Sequence, residues 1–280
     1  MANPRMCPHC RAFIDPKARV CEYCGNELTK AVAARPESPS VLSSLLPQAQ
    51  STTSLILFIN FAVFAATLIM TFKVSSESPG VFADIDGGVL RLFGAKDAYF
   101  IARGDWWRLV TAGFLHAGLF HILMNSWVLF DLGSRVEEIF GTSRFVVLYV
   151  LSSIGGFVVS LWWSPFSLSI GASAAACGLI GAMLAYARQT GSSMLWSFYM
   201  RWIIMIAVIG LLPGFHIDNA AHFGGLATGF IVAYAAGTPR FSSALEPLWK
   251  IAAGFTVAIV AVSFFLAYDS LSRVLISLTP

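Results

Sequence analysis

Three short groups of residues in this chain have the types and spacing of a reaction centre. Ser173 lies in Ser169-Ile170-Gly171-Ala172-Ser173-Ala174-Ala175-Ala176-Cys177-Gly178, a run of small residues with one hydroxyl near its middle. His121 and Asn125 are spaced i, i+4 and so share one helical face. Asp218, Asn219 and His222 form the third group. A serine becomes a nucleophile when a base stands within hydrogen-bond reach, and His222 is the candidate base. The oxyanion that develops needs N–H donors. His121 and Asn125 offer side-chain donors, and Ser173 offers its own amide at a helix N-terminus. Each residue also has a plainer reading. Small residues let spanning helices approach closely, an aspartate before a helix caps it, and a thiol such as Cys177 is usually packing.

The elements that must position these groups follow from composition. The 280 residues are 57% hydrophobic and only 12% charged, against about 25% charged in globular domains. Mean hydropathy is +0.72. An integral membrane protein follows. The first residues, Met1 to Cys7, have no apolar core after Arg5, so no cleavable signal peptide is expected. Apolar runs of spanning length are expected at 54–72, 118–136, 145–163, 171–187, 200–213, 218–237 and 248–268. The fifth is short and ends at Pro213-Gly214. A polar interval from Lys73 to about His116 carries Trp106, Trp107 and Arg108, expected to anchor it at the membrane–water boundary. The fold class is therefore all-α and polytopic.

Charge sets an orientation. With the N-terminus in the cytoplasm, the inner segments hold 12 Lys and Arg and the outer ones 6, and the short loops alone divide six to none. The second, fourth and sixth spans then start at the outer face and run inward. This places His121, Asn125, Ser173 and His222 at similar depth, where buried polar groups mark function.

Four of the five cysteines lie in the first 24 residues, as Cys7-Pro8-His9-Cys10 and Cys21-Glu22-Tyr23-Cys24. Two such pairs complete a tetrahedral zinc site; paired disulfides and a redox CxxC are the other readings. Reducing cytosol favours metal. Residues 1–30 read as a small cytosolic zinc ribbon, held by Cys7, Cys10, Cys21 and Cys24 and unable to fold without its metal. Residues 31–53, with Pro36, Pro39 and Pro47, read as a flexible linker.

The order of these features resembles the rhomboid family of intramembrane serine proteases. The motifs are Trp107-Arg108, His121 with Asn125, Glu137 with Gly141, Gly171-Ala172-Ser173, and Ala221-His222-Phe223-Gly224-Gly225, in family order over residues 54–237. The resemblance implies a six-helix protease core, with residues 238–280 adding an extra C-terminal transmembrane helix and tail. It implies a Ser173–His222 dyad with His121 and Asn125 at the oxyanion, no cofactor for catalysis, and substrates that are transmembrane proteins in the lipid bilayer. The zinc is expected to be structural, and its ribbon a docking or regulatory head for a cytosolic partner. Nucleic acid is not an expected partner, and a bacterial inner membrane with the C-terminus outside is the expected location. One departure stands out: Ala174 occupies the position where the family usually has glycine. It is the support for an alternative reading, a catalytically inactive binder of membrane-protein clients. A transporter or channel is disfavoured because the polar residues cluster near one face.

Overall fold

The computed structural model describes residues 5–7, 13–15, 18, 20–25, 51–74, 80, 82–212, 217–238 and 243–278. The chain divides into two compact units, 1–48 and 49–280. In the first, β1 (Arg5–Met6) pairs antiparallel with β2 (Phe13–Ile14), Arg5 opposite Ile14 and Met6 opposite Phe13. Cys7, Ile14 and Cys21 are buried together against Ala18. Among the described residues this apolar cluster is too small to stabilise a fold by burial alone.

The second unit is helical. Its long helices are α1 (Ser51–Val74), α5 (Leu119–Phe140), α6 (Thr142–Trp163), α7 (Ser173–Thr190), α8 (Ser193–Gly210), α9 (Asn219–Ala236) and α10 (Glu246–Leu278). Between α1 and α5 the chain forms α2 (Gly87–Leu92), α3 (Ala98–Ile101) and α4 (Arg108–Thr111), then a 3-10 turn, Ala112–Phe114. Four helices among the described residues, α1, α6, α8 and α10, are long and apolar enough to cross a membrane. A fifth span arises if Arg108–Phe114 and α5, bent by 92°, are taken together. The two helices that carry Ser173 and His222 are outside that set. Their sequences are diluted with Gly, Ala and polar residues because they face other helices more than lipid.

Several expected boundaries move. The fifth span, expected at 200–213, is the helix Ser193–Gly210. Ser192 caps it by accepting from the Leu195 amide at 3.3 Å, a local signal that outweighs the drop in hydropathy there. Pro213 and Gly214 lie outside the described residues. The seventh helix runs to Leu278 rather than 268. The polar interval is a folded layer and not a plain loop. Trp107 and Arg108 are 4% and 3% exposed, so they do not anchor at the lipid boundary as expected. Arg108 instead ion-pairs with Asp105 at 3.0 Å and donates to the Arg91 carbonyl at 2.7 Å.

The helices meet through small residues. A Cβ on Gly229 of α9 would lie 2.6 Å from the Gly178 Cα of α7, so no other residue fits without parting them. At the opposite end of the bundle Glu137 accepts from the Thr53 amide and hydroxyl, each at 3.2 Å, and from the Thr142 hydroxyl at 3.0 Å. One carboxylate thereby joins α1, α5 and α6. The extra helix α10 is fastened to α6 by an ion pair between Glu246 and the fully buried Arg144, and Phe264 packs edge-on against Phe114.

Candidate active site

The centre is built where α7 and α9 begin. Ser173 is the first residue of α7, and the chain reaches it through Gly171, whose φ of +118° suits glycine. Asp218 is the N-cap of α9 and accepts from the Ala221 amide at 2.9 Å, which puts His222 in the first turn. The closely packed seam of α7 and α9 then brings His222 Nε2 to 2.8 Å from Ser173 Oγ. Two residues 49 apart in sequence become hydrogen-bond partners.

The other oxygen of Asp218 is hydrogen-bonded by the Ser160 hydroxyl of α6. Nδ1 of His222 is buried and has no hydrogen-bond partner among the described residues. Asp218 thus acts as a cap, and the arrangement is a pair, not a triad. With Nε2 placed to accept the Ser173 proton, Nδ1 carries the ring hydrogen.

His121 approaches from α5. Its Nδ1 lies 3.3 Å from the Ala117 amide and accepts from it, so Nε2 is the protonated nitrogen. That nitrogen faces the turn before the serine: a Cβ on Gly171 would be 2.7 Å from it and 3.6 Å from Ser173 Oγ. Gly171 is therefore required twice, for its backbone angle and for the space beside His121. Asn125 is buried on the same face of α5, and its Nδ2 donates to the His121 carbonyl at 3.1 Å. That bond uses one of its two amide hydrogens.

Ala174 is fully buried in a cluster with Ala112, Phe157 and Ala221. Its methyl faces Gly156 of α6, where an added Cβ would be 2.8 Å away. The space for this methyl is left by the glycine of the opposite helix. Cys177, one turn below Ser173, is buried and lines an apolar cavity of about 250 Å³ with His222, Phe223 and, from α8, Ile203, Ile206 and Ala207.

Sequence reasoning did not single out Lys96, Ser160 or Gly156. Ser160 and Gly156 sit in an ordinary-looking apolar run, and Lys96 in a polar one, with no spacing to mark any of them. In the N-terminal unit, Cys7, Cys21 and Cys24 place their sulfurs within 4.8 Å of one another, with Cys7 and Cys24 at 3.9 Å. Tetrahedral zinc thiolates require about 3.8 Å, from a bond of about 2.3 Å. Cys10 lies outside the described residues.

Comparison with known proteins converges on the same region. Residues 103–239 match the model of the Rhomboid domain. The chain is 39% identical over 165 residues to "Rhomboid protease GluP" of Bacillus subtilis (strain 168), covering 56% of this chain and 32% of that protein. It is 35% identical over 180 residues to "RHOMBOID-like protein 6, mitochondrial" of Arabidopsis thaliana, 60% of this chain and 56% of the relative. It is 36% identical over 145 residues to "Rhomboid-like protease 3" of Toxoplasma gondii, 50% and 55% respectively. The chain thus spans between about a third and a little over half the length of these relatives.

Proposed function

We propose that this integral membrane protein belongs to the rhomboid family and is a serine endopeptidase that hydrolyses peptide bonds in or near transmembrane segments of other proteins. The 2.8 Å contact between His222 Nε2 and Ser173 Oγ is the observation that carries the reading. Ser173 Oγ attacks the scissile carbonyl carbon while His222 Nε2 takes its proton. The same proton then goes to the leaving amine, the C–N bond breaks, and an acyl-Ser173 ester remains. Water attacks that ester with His222 again as base, releasing the second product and restoring the hydroxyl. The oxyanion of each tetrahedral stage accepts from His121 Nε2–H, from the Ser173 amide and from the second Asn125 amide hydrogen. The apolar cavity beside His222 suits an apolar side chain of the substrate.

The alternative, a client-binding scaffold without catalysis, rests on Ala174. Its methyl is accommodated against Gly156 while the Ser173–His222 contact forms, which favours the enzyme. The test is a fluorophosphonate label together with cleavage of a reconstituted transmembrane substrate. Both are expected in the wild type. Ser173→Ala abolishes labelling, and Ser173→Ala or His222→Ala lowers turnover by ~10⁴-fold or more. A folded wild-type protein that neither labels nor cuts, yet captures clients equally well as Ser173→Ala, would identify a scaffold.

For the N-terminal unit we propose a structural zinc ion held by Cys7, Cys21, Cys24 and Cys10, on the sulfur geometry of the first three. When bound, zinc supplies cross-linking and no chemistry to the peptidase centre. The ribbon faces the cytoplasm and binds a protein partner there, and the C-terminus is outside. Metal analysis of the purified full chain should find one zinc per chain. Cys21→Ser should lose it while fluorophosphonate labelling of Ser173 continues. Full metal retention in Cys21→Ser sinks the assignment.

A further inference from the structure

Lys96 is 0% exposed, yet it is a lysine in a loop. Its Nζ donates to the Ser164 carbonyl at 2.9 Å, the Ser167 carbonyl at 2.9 Å and the Ser167 hydroxyl at 3.2 Å. Three acceptors need three N–H groups, so the ammonium is protonated. Burial alone pushes its pKa down, and the carboxylates of Asp218 and then Asp97 oppose that. The charge sits at the C-terminal end of α6, where unpaired carbonyls and the helix dipole favour a cation.

The backbone of Lys96 makes a second attachment to the same segment. Its amide donates to the Ser169 carbonyl at 3.1 Å, and the Ser169 amide donates back at 3.3 Å. Two residues further on, the Gly171 amide donates to Ala112 at 2.9 Å, and then Ser173 begins α7. The turn that presents Lys96 is itself held from below. Gly94 has φ of +97° and packs on Thr111 and Trp107, and the Thr111 hydroxyl donates to its carbonyl at 2.7 Å. Arg108 holds the Arg91 carbonyl. Side chain and backbone of one lysine therefore grip both the start and the end of the connection 164–169.

We propose that Lys96 is a positioning residue for the peptidase centre, its ammonium and its backbone together fixing the α6–α7 connection from which Ser173 is presented to His222. This rests on the serine-peptidase reading above. Lys96 touches no reacting atom; its effect passes through the placement of Ser173 Oγ. Without the ammonium the connection keeps its backbone bridge but loses its three side-chain bonds, and Ser173 samples positions off the reactive geometry.

The experiment compares the full-length wild type with Lys96→Met in detergent, measuring fluorophosphonate labelling rate, active-site-titrated kcat, KM for a transmembrane substrate, and thermal unfolding. A misplacement of about an ångström costs up to ~100-fold in rate. We therefore expect labelling rate and kcat per titrated site to fall together by at least ~10-fold, with KM within about two-fold. A merely structural lysine would reduce the number of titratable sites and leave kcat per site unchanged, and that result overturns the proposal. If Lys96→Met does not fold, Ser167→Ala removes one of the three acceptors of the ammonium, together with the bond that this hydroxyl donates to the Ser164 carbonyl at 2.8 Å. A fall in kcat of about three-fold at constant KM then supports the role, and wild-type kcat overturns it. A wild type that never labels would instead overturn the peptidase reading, and this inference with it.

Discussion

Helices α7, α8 and α9 are each 18 residues long, yet the seam between α7 and α9 and the outer helix α8 do opposite things. Along the seam, Gly178, Gly181, Gly225 and Gly229 let backbone meet backbone, with Gly225 against Ala174 and Gly229 against Gly178. Helix α8 is richer in large apolar residues, yet only 6% of its spanning window is buried. Ile204, Met205 and Val208 are exposed on it. In lipid, apolar side chains give no net drive to associate, because acyl chains solvate them equally well. Close approach and dispersion then decide packing, and small residues win over large ones. The two helices with the weaker hydropathy are the ones locked together, and Ser173 sits on one and His222 on the other.

This contrast can be attacked at three places. The largest effect belongs to Gly229→Val. Its side chain would meet the Gly178 backbone, which cannot rotate away, so overpacking should cost ~3 kcal/mol or more and labelling of Ser173 should be lost. Thermal unfolding with labelling in detergent reads both, and a stable, labelling variant would break the idea that the seam is closed. Ala174→Gly tests the same seam in the other direction. It should destabilise by ~1 kcal/mol through helix propensity and lost contact and leave turnover within about two-fold, since Gly156 already makes the room. A large gain in turnover would show that the methyl does displace Ser173. The smallest effect belongs to Val208→Ala on α8, within ~0.5 kcal/mol, because that side chain is 54% exposed. Strong unfolding there would show that α8 is held as firmly as the seam.

How far the chain could be read before its fold was known varied with the kind of signal. His121, Asn125, Ser173 and His222 are costly in an apolar sequence, so each stands out, and their chain order placed them on helices running the same way. The ends of α8 and α10 were less legible, because hydropathy falls off gradually and Ser192 ends the ambiguity only through a single capping bond. Trp107 and Arg108 carry a familiar boundary composition but are buried in a turn, since Arg108 finds Asp105 and the Arg91 carbonyl within the same layer. Asp218 caps its helix, as an aspartate before a helix is expected to, and its bonds with the Ala221 amide and the Ser160 hydroxyl occupy both of its oxygens.

By itself the sequence determined that the chain enters the membrane, which residues are too polar to be there without purpose, and that four of the cysteines fall in two CxxC pairs. Those are properties of residue type and short spacing, and they do not depend on what folds against what. Only the tertiary structure decided the 2.8 Å approach of His222 to Ser173, the fit of Ala174 against Gly156, and the grip of Lys96 on the connection before the serine. Each of these joins residues on different elements, and no local rule of propensity or periodicity carries that information. The methyl group of Ala174 shows the difference most plainly. In sequence it is a departure beside Ser173, and in three dimensions it fills a space that a glycine 18 residues earlier leaves open.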